Sequence, residues 1–109
     1  MALKHAKPGE VVDLGPLGNG LANARTSAIV RTPSFEAVRL IVPAGSEIPA
    51  HQVPGRIMLH CIEGRVRIGL AAGPAELDEG EWLYLEGGEP HSVEGVRDAS
   101  LLLTILFDA

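Results

Sequence analysis

Cysteine, aromatic residues and basic charge are all scarce in this chain of 109 residues. Its one cysteine, Cys61, excludes a disulfide framework within the chain. Aromatic residues make up only 4% of the sequence, so we expect a core of Leu, Val, Ile and Ala. The formal net charge is −5 and no basic stripe is present, which argues against a nucleic-acid partner.

The chain also lacks a long hydrophobic run. The longest apolar stretch, residues 101–107, is too short to span a bilayer. Residues 1–12 are interrupted by charged residues, proline and glycine, and they contain no apolar region typical of a signal peptide. We therefore expect no membrane partner and a soluble, cytoplasmic protein.

Glycine and proline, by contrast, are abundant and are spread through the chain. Hydrophobic residues make up 46% of the sequence and charged residues 21%, which is typical of a folded chain rather than a disordered one. The length suits one domain, and no linker or repeat divides it. We predict a single domain over residues 1–109.

Short apolar runs between turn residues predict an all-β chain of eight to ten short strands without a long helix. The predicted strands include residues 26–32, 34–42, 57–62, 65–70, 82–85, 90–93 and 100–107, with a weaker one at residues 75–77. Residues 45–55 are predicted to be rich in loops, and Glu63-Gly64 is predicted to be a turn. This pattern indicates a sandwich or barrel, and closure into a barrel also removes exposed sheet edges.

Two of the four histidines, His51 and His91, are the best candidates for a functional site. Each follows a turn-prone stretch and precedes apolar residues, so we expect both at one mouth of the barrel, where small barrels bind ligands. Imidazole can donate, accept or carry charge, which suits a small polar or carboxylate-bearing ligand. Arg56 could clamp a carboxylate with two hydrogen bonds, although a solvated loop arginine is the commoner case.

The spacing of these histidines among glycines resembles that of the cupin superfamily. Cupins have a first motif of glycine, His-x-His, glutamate and glycine, and a second motif that ends in a histidine and an asparagine. Six positions match the two motifs in register: Gly45, His51 and Gly64 in the first, and Gly80, Gly88 and His91 in the second. The resemblance implies a single jelly-roll β-barrel of two packed antiparallel sheets. It also implies a homodimer, because small cupins are often dimers.

The resemblance further implies a divalent metal, but two of the four cupin ligands are replaced here. Val53 stands at the second histidine of the first motif, and Ile57 stands at its glutamate. Only His51 and His91 remain, and two imidazoles alone bind iron, manganese, nickel or zinc weakly, because enzyme sites commonly use three protein ligands.

A metal site therefore requires a third ligand, for which the sequence offers three candidates. His60 is expected on the strand face opposite Ile57, and so to point away unless a bulge reverses it. Glu86 lies close to His91 in sequence and replaces the proline of the second motif. Cys61 shares the parity of Ile57 and would be a soft ligand deeper in the barrel, or simply a small buried hydrophobe.

Three functions are open on these observations. The chain is a module that binds a small molecule at His51, Arg56 and His91, or a metal-dependent oxygenase, isomerase or lyase with a degenerate ligand set, or a structural dimerising domain without a ligand. One metal per chain would favour the enzyme, and a metal-free pocket with a ligand would favour the binding module. Trp82 and Tyr84 share parity, and we expect them to pack against another layer or another subunit.

Overall fold

The structure, a computed structural model that describes residues 5–107, consists of seven β-strands and one short 3-10 helix. The strands are β1 (Ser27–Arg31), β2 (Phe35–Val42), β3 (Glu47–His51), β4 (Ile57–Leu70), β5 (Ala75–Asp78), β6 (Trp82–Leu85) and β7 (His91–Leu106), and the 3-10 helix spans Gly18–Asn23. Every strand pair is antiparallel, which agrees with the all-β prediction. Within the described residues, no helix has the length and apolar character needed to cross a membrane.

The two longest strands, β4 and β7, pair along most of their length. Ile57 at the start of β4 faces Ile105 near the end of β7, and Leu70 at the end of β4 faces His91. Each strand then has two further neighbours, because β4 pairs with β6 in its first half and β5 in its second, while β7 pairs with β3 and then β2. The same two strands therefore run through both halves of the barrel wall.

The β4–β7 pair bends where its register shifts, around residues 61–66 of β4. Gly64 lies at this bend with φ +85, a conformation that favours glycine, and a Cβ there would lie 2.0 Å from the carbonyl oxygen of Asp98. Bulges at such points let a strand turn a corner and continue.

These continuous strands correct the sequence prediction. Glu63-Gly64 is a bulge inside β4 rather than a turn between two strands, and residues 90–93 and 100–107 belong largely to the single strand β7. The loop-rich stretch 45–55 contains β3. Eight to ten short strands were therefore too many for the described residues, because local periodicity breaks at a bulge although the hydrogen-bonded pairing continues.

Side chains of β4 alternate between the barrel interior and the outer face. Ile57, Leu59 and Cys61 are buried, whereas Met58 and His60 between them are only partly buried. The buried hydrophobic core comprises Val42, Ile57, Leu59, Cys61, Val66, Ile68, Leu77, Leu85, Val93, Ala99 and Leu101. This core is almost wholly aliphatic, as the low aromatic content indicates.

A buried carboxylate at the bend holds the N-terminal strap, which we define as residues 13–18. The Glu63 carboxylate accepts hydrogen bonds from the backbone N–H groups of Leu17 at 2.8 Å and Gly18 at 3.1 Å, and from the Ser100 hydroxyl at 2.7 Å. Arg39 fastens the strap from the sheet side by donating to the carbonyl oxygens of residues 13 and 15. The strap therefore lies across the outer face of the sheet.

The pKa of Glu63 reflects these contacts. Burial acts to raise the pKa of this carboxyl, but the hydrogen bonds from Leu17, Ser100 and Gly18 and the charge of Arg39 outweigh burial and lower the pKa below 4.5. Because the pKa is lower in the folded state, the carboxylate stabilises the fold fully above about pH 4.5, and this stabilisation is lost as the pH falls through the folded-state value.

We expect Glu63→Gln to lower the free energy of unfolding by about 1–3 kcal/mol at neutral pH, because a charge-assisted acceptor of three hydrogen bonds is lost. Urea unfolding at pH 7 and at pH 3 measures the effect, with the exposed Glu47→Gln as a control. The difference in the free energy of unfolding between wild type and Glu63→Gln should be smaller at pH 3 than at pH 7. An equal gap at both values would contradict the role given to the carboxylate.

Candidate functional site

His51 and His91 are neighbours at the mouth of the barrel. His51 is the last residue of β3 and His91 is the first of β7, and the two are cross-strand partners after a register shift in β3. Their ring centroids lie 4.4 Å apart with the planes tilted by 54°. His91 is buried, with 5% of its surface exposed, whereas His51 is exposed, so the pair connects the barrel interior to solvent.

Both imidazoles are oriented by their own backbone. The Nδ1 atom of His51 lies 3.0 Å from the carbonyl oxygen of Pro49, and the Nδ1 atom of His91 lies 3.1 Å from that of Glu89. A carbonyl oxygen only accepts, so Nδ1 carries the proton in each ring. The Nε2 atom of each ring is then left with a lone pair when the ring is neutral.

The two chain segments that lead into this site run side by side. The N–H of Gly88 donates to the carbonyl oxygen of Val53 at 2.7 Å. Gly87 approaches the carbonyl oxygen of Pro54 so closely that a Cβ would lie 1.9 Å from it. Segments 51–56 and 86–91 therefore form one rim of the barrel.

Arg56 and Glu86, both predicted site residues, lie on this rim and contact each other. The Nε atom of Arg56 lies 2.9 Å from Oε2 of Glu86, and the two side chains are 54% and 63% exposed. An ion pair this exposed stabilises the fold by roughly 0–1 kcal/mol.

The inner wall beside the histidines is apolar where a cupin metal would find its other ligands. Ile57 is 3% exposed and faces Leu85 on one neighbouring strand and Ile105 on the other. Val53 is partly buried and packs against the core. Residues 5–107 contain no group of three or more His, Cys, Asp or Glu side chains that could hold a metal ion. The residues present therefore do not fit the four-ligand metal site of the cupins.

Within the described chain, none of the three candidate third ligands belongs to a group of three that could hold a metal ion. His60 lies on the outer face of β4 opposite Trp82, because the alternation of β4 is intact up to the bend. Glu86 is held by Arg56. Cys61 is fully buried near the bend, and burial, followed by the charges of nearby acidic residues, raises its pKa to about 11, which disfavours the thiolate that binds metals.

Two polar clusters were not recognised in the sequence. One is the Glu63 anchor, whose partners lie far away in the chain. The other is an ion-pair network across β4, β5 and β7, formed by Arg65, Arg67, Glu76, Asp78, Glu94 and Arg97. The signal that could have indicated this network is the pair of arginines on one face of β4 followed by the acidic residues of β5.

Comparison with known proteins concerns the fold. No family model and no curated protein matches the sequence. The chain is similar in structure to a conserved protein of unknown function from Streptococcus pyogenes, with a TM-score of 0.77, 18% identity, and 100% of this chain and 96% of that one covered. A cupin superfamily protein from Desulfitobacterium hafniense DCB-2 has a TM-score of 0.73 and 14% identity, with 76% of each chain covered.

An enzyme is also among the similar structures. The DMSP lyase DddQ from Ruegeria pomeroyi DSS-3 has a TM-score of 0.66 and 19% identity. The match covers 74% of this chain but only 45% of the lyase. At identities this low, the likeness to all three proteins concerns the fold alone.

We expect the double variant Val53→His/Ile57→Glu to gain a metal site, because it restores the two ligand types that the apolar wall replaces. Zinc should raise its thermal midpoint and leave that of the wild type nearly unchanged, since a ligand stabilises the state that binds it. Val53→Gln/Ile57→Gln is the matched control, polar but poorly ligating. A restored variant that does not respond to zinc, nickel, manganese or iron would contradict this account of the site.

Proposed function

Because the chain has the small antiparallel jelly-roll barrel of the cupins, as its sequence motifs imply, we propose that it binds a small polar or carboxylate-bearing molecule at the barrel mouth. The observation that carries the proposal is the contact between His51 and His91, whose Nδ1 atoms are both committed to backbone carbonyls. This arrangement leaves two Nε2 atoms for a ligand. Barrel mouths are a common location for such sites.

The protonation of the pair determines which ligand groups it can bind. Neutral rings accept hydrogen bonds at Nε2 from a hydroxyl or amine of the ligand. A protonated ring donates at Nε2 and attracts a carboxylate. Two rings with centroids 4.4 Å apart repel each other if both are charged, so the pair suits a ligand with a single carboxylate.

The rim and the wall supply the rest of the binding site. Arg56 lies on the rim in an exposed contact with Glu86, and its guanidinium is of the type that binds carboxylates with two hydrogen bonds. Val53, which is only partly buried, provides apolar surface for the carbon skeleton of the ligand. A short carboxylic acid with an apolar part matches this combination.

We expect calorimetric titration with a panel of short mono- and dicarboxylates to give saturable binding, because the two Nε2 atoms and the rim arginine can hydrogen-bond a carboxylate. His51→Ala/His91→Ala should abolish binding, whereas His60→Ala, which changes a histidine on the outer face, should not. Binding that is equal in wild type and in the double variant would sink the proposal.

A metal-dependent enzyme is the second candidate, favoured by one observation. Metal-binding histidines usually donate their other ring N–H to a carbonyl or carboxylate, as His51 and His91 do here. The similar fold of a DMSP lyase is compatible with an enzyme. Metal content measured by plasma mass spectrometry separates the two candidates, since about one metal per chain, lost in His51→Ala/His91→Ala, would favour the enzyme.

The homodimer, the cytoplasmic location and the structural role without a ligand stay predictions. Trp82 and Tyr84, expected against another layer or subunit, are 54% and 53% exposed on the outer face of β6. About half of each side chain is therefore left uncovered by the described chain, and this surface is accessible to a partner or a ligand.

A further inference from the structure

The outer face of the barrel carries a groove away from the histidine pair. Its volume is about 370 Å3, and it lies between the N-terminal strap, the sheet and the turn that joins β5 to β6. Its lining includes Leu14 and Pro16 of the strap, His60, Ile62 and Leu102 of the sheet, and Glu79 of the turn. The volume is within the range of small-molecule sites, which are typically apolar with a few polar groups.

The groove exists because the strap is fixed and the turn is pinned to β4. Glu63 and Arg39 hold the strap over the sheet. On the other side, the N–H of Gly80 donates to the carbonyl oxygen of Cys61 at 2.8 Å, and the N–H of Cys61 donates to that of Glu81 at 2.9 Å. Hydrogen bonds to the sheet therefore hold both walls of the groove, the strap and the turn, in place.

The electrostatic character of the groove is negative. Glu79 lines it, and no lysine or arginine is among its described lining residues. After burial, the charges of Asp78, Glu79 and Glu81 raise the pKa of Cys61, which is also among the lining residues.

The nearest arginines are engaged elsewhere. Arg39, opposite Leu102 in the sheet, donates to carbonyl oxygens of the strap. Arg65 is paired with Glu76 and Asp78 on the other half of β4. In the part of the chain that the structure describes, neither arginine forms a hydrogen bond or an ion pair with Glu79.

Aromatic side chains lie beside His60 of the groove. Trp82 is the cross-strand partner of His60, and Tyr84 follows on the same face with its ring centroid 5.9 Å from that of Trp82. Both rings are about half exposed. The faces of such rings attract cations, most strongly for tryptophan.

We propose that this groove binds a small organic cation, a molecule with an ammonium group on an apolar body. The apolar body contacts Leu14, Ile62 and Leu102, and the ammonium group lies between Glu79 and the ring of Trp82. A neutral His60 accepts a hydrogen bond from the ammonium N–H. The occupant is a cation because Glu79 lines the groove, no basic residue is among its described lining residues, and the exposed ring of Trp82 is carried by the strand neighbour of His60. The inference does not depend on the function proposed for the His51–His91 site.

Trp82 is the only tryptophan of the chain, so its fluorescence reports on this groove directly. The probe is 2-phenylethylammonium, compared with 2-phenylethanol as the neutral analogue and phenylacetate as the anion. We expect saturable quenching of Trp82 fluorescence by the cation. The dissociation constant of the alcohol should be roughly 3- to 30-fold higher, because the alcohol lacks the cation–π and charge contacts. Phenylacetate should bind more weakly still.

Variants separate the groove from other surfaces. Glu79→Gln should raise the dissociation constant for the cation roughly 3- to 10-fold, by loss of an exposed charge contact, and leave that of the alcohol unchanged. Glu47→Gln, an exposed carboxylate on β3, is the matched control and should change neither. His51→Ala/His91→Ala should also leave cation binding unchanged, so failure of the histidine site and failure of the groove are distinguishable.

Three results would overturn the proposal. Equal affinity for cation, alcohol and anion would show a merely hydrophobic surface. If the Glu79→Gln variant binds the cation as tightly as wild type, the carboxylate of Glu79 does not contribute to binding. Trp82 emission that changes with protein concentration in the absence of any probe, together with a doubled mass in solution, would show that a second copy of the chain occupies this face.

Discussion

The pairing of β4 with β7 is the interaction on which the rest of the structure depends. These strands form the shared seam of both barrel halves, and every other strand except β1 is hydrogen-bonded to one of them. Their common bend requires Gly64, because its Cβ position is taken by the backbone of Asp98. The same bend places the Glu63 carboxylate where it can hold the strap, and the far end of the pair places His91 at the barrel mouth.

Sequence reasoning reached the fold through features that are local. Alternating apolar residues predicted strands such as β2 and β6 closely, and the spacing of glycines and histidines predicted that His51 and His91 belong to one site. The continuity of β4 and β7 was missed, because bulges interrupt the period of two that marks a strand. The Glu63 anchor could not be predicted either, since its partner Leu17 is 46 residues away.

The candidate site differs from the cupin motifs that the sequence resembles at two of the four ligand positions. Ile57 is buried among aliphatic neighbours, so the position that carries a glutamate in cupins now contributes to the core. His51 and His91 nevertheless retain backbone carbonyl partners that orient both rings. An apolar wall beside two oriented imidazoles suits an organic ligand better than a metal ion, because a metal gains little from carbon surface.

The most direct test of this account is a long-range proton–nitrogen NMR spectrum of the two imidazoles, recorded with and without a short carboxylate. The structure predicts the Nδ1–H form for both neutral rings, and a shift of their Nε2 signals on ligand addition. Rings protonated at Nε2 when neutral, or Nε2 signals that respond to zinc but not to any carboxylate, would contradict an organic-ligand site at His51 and His91.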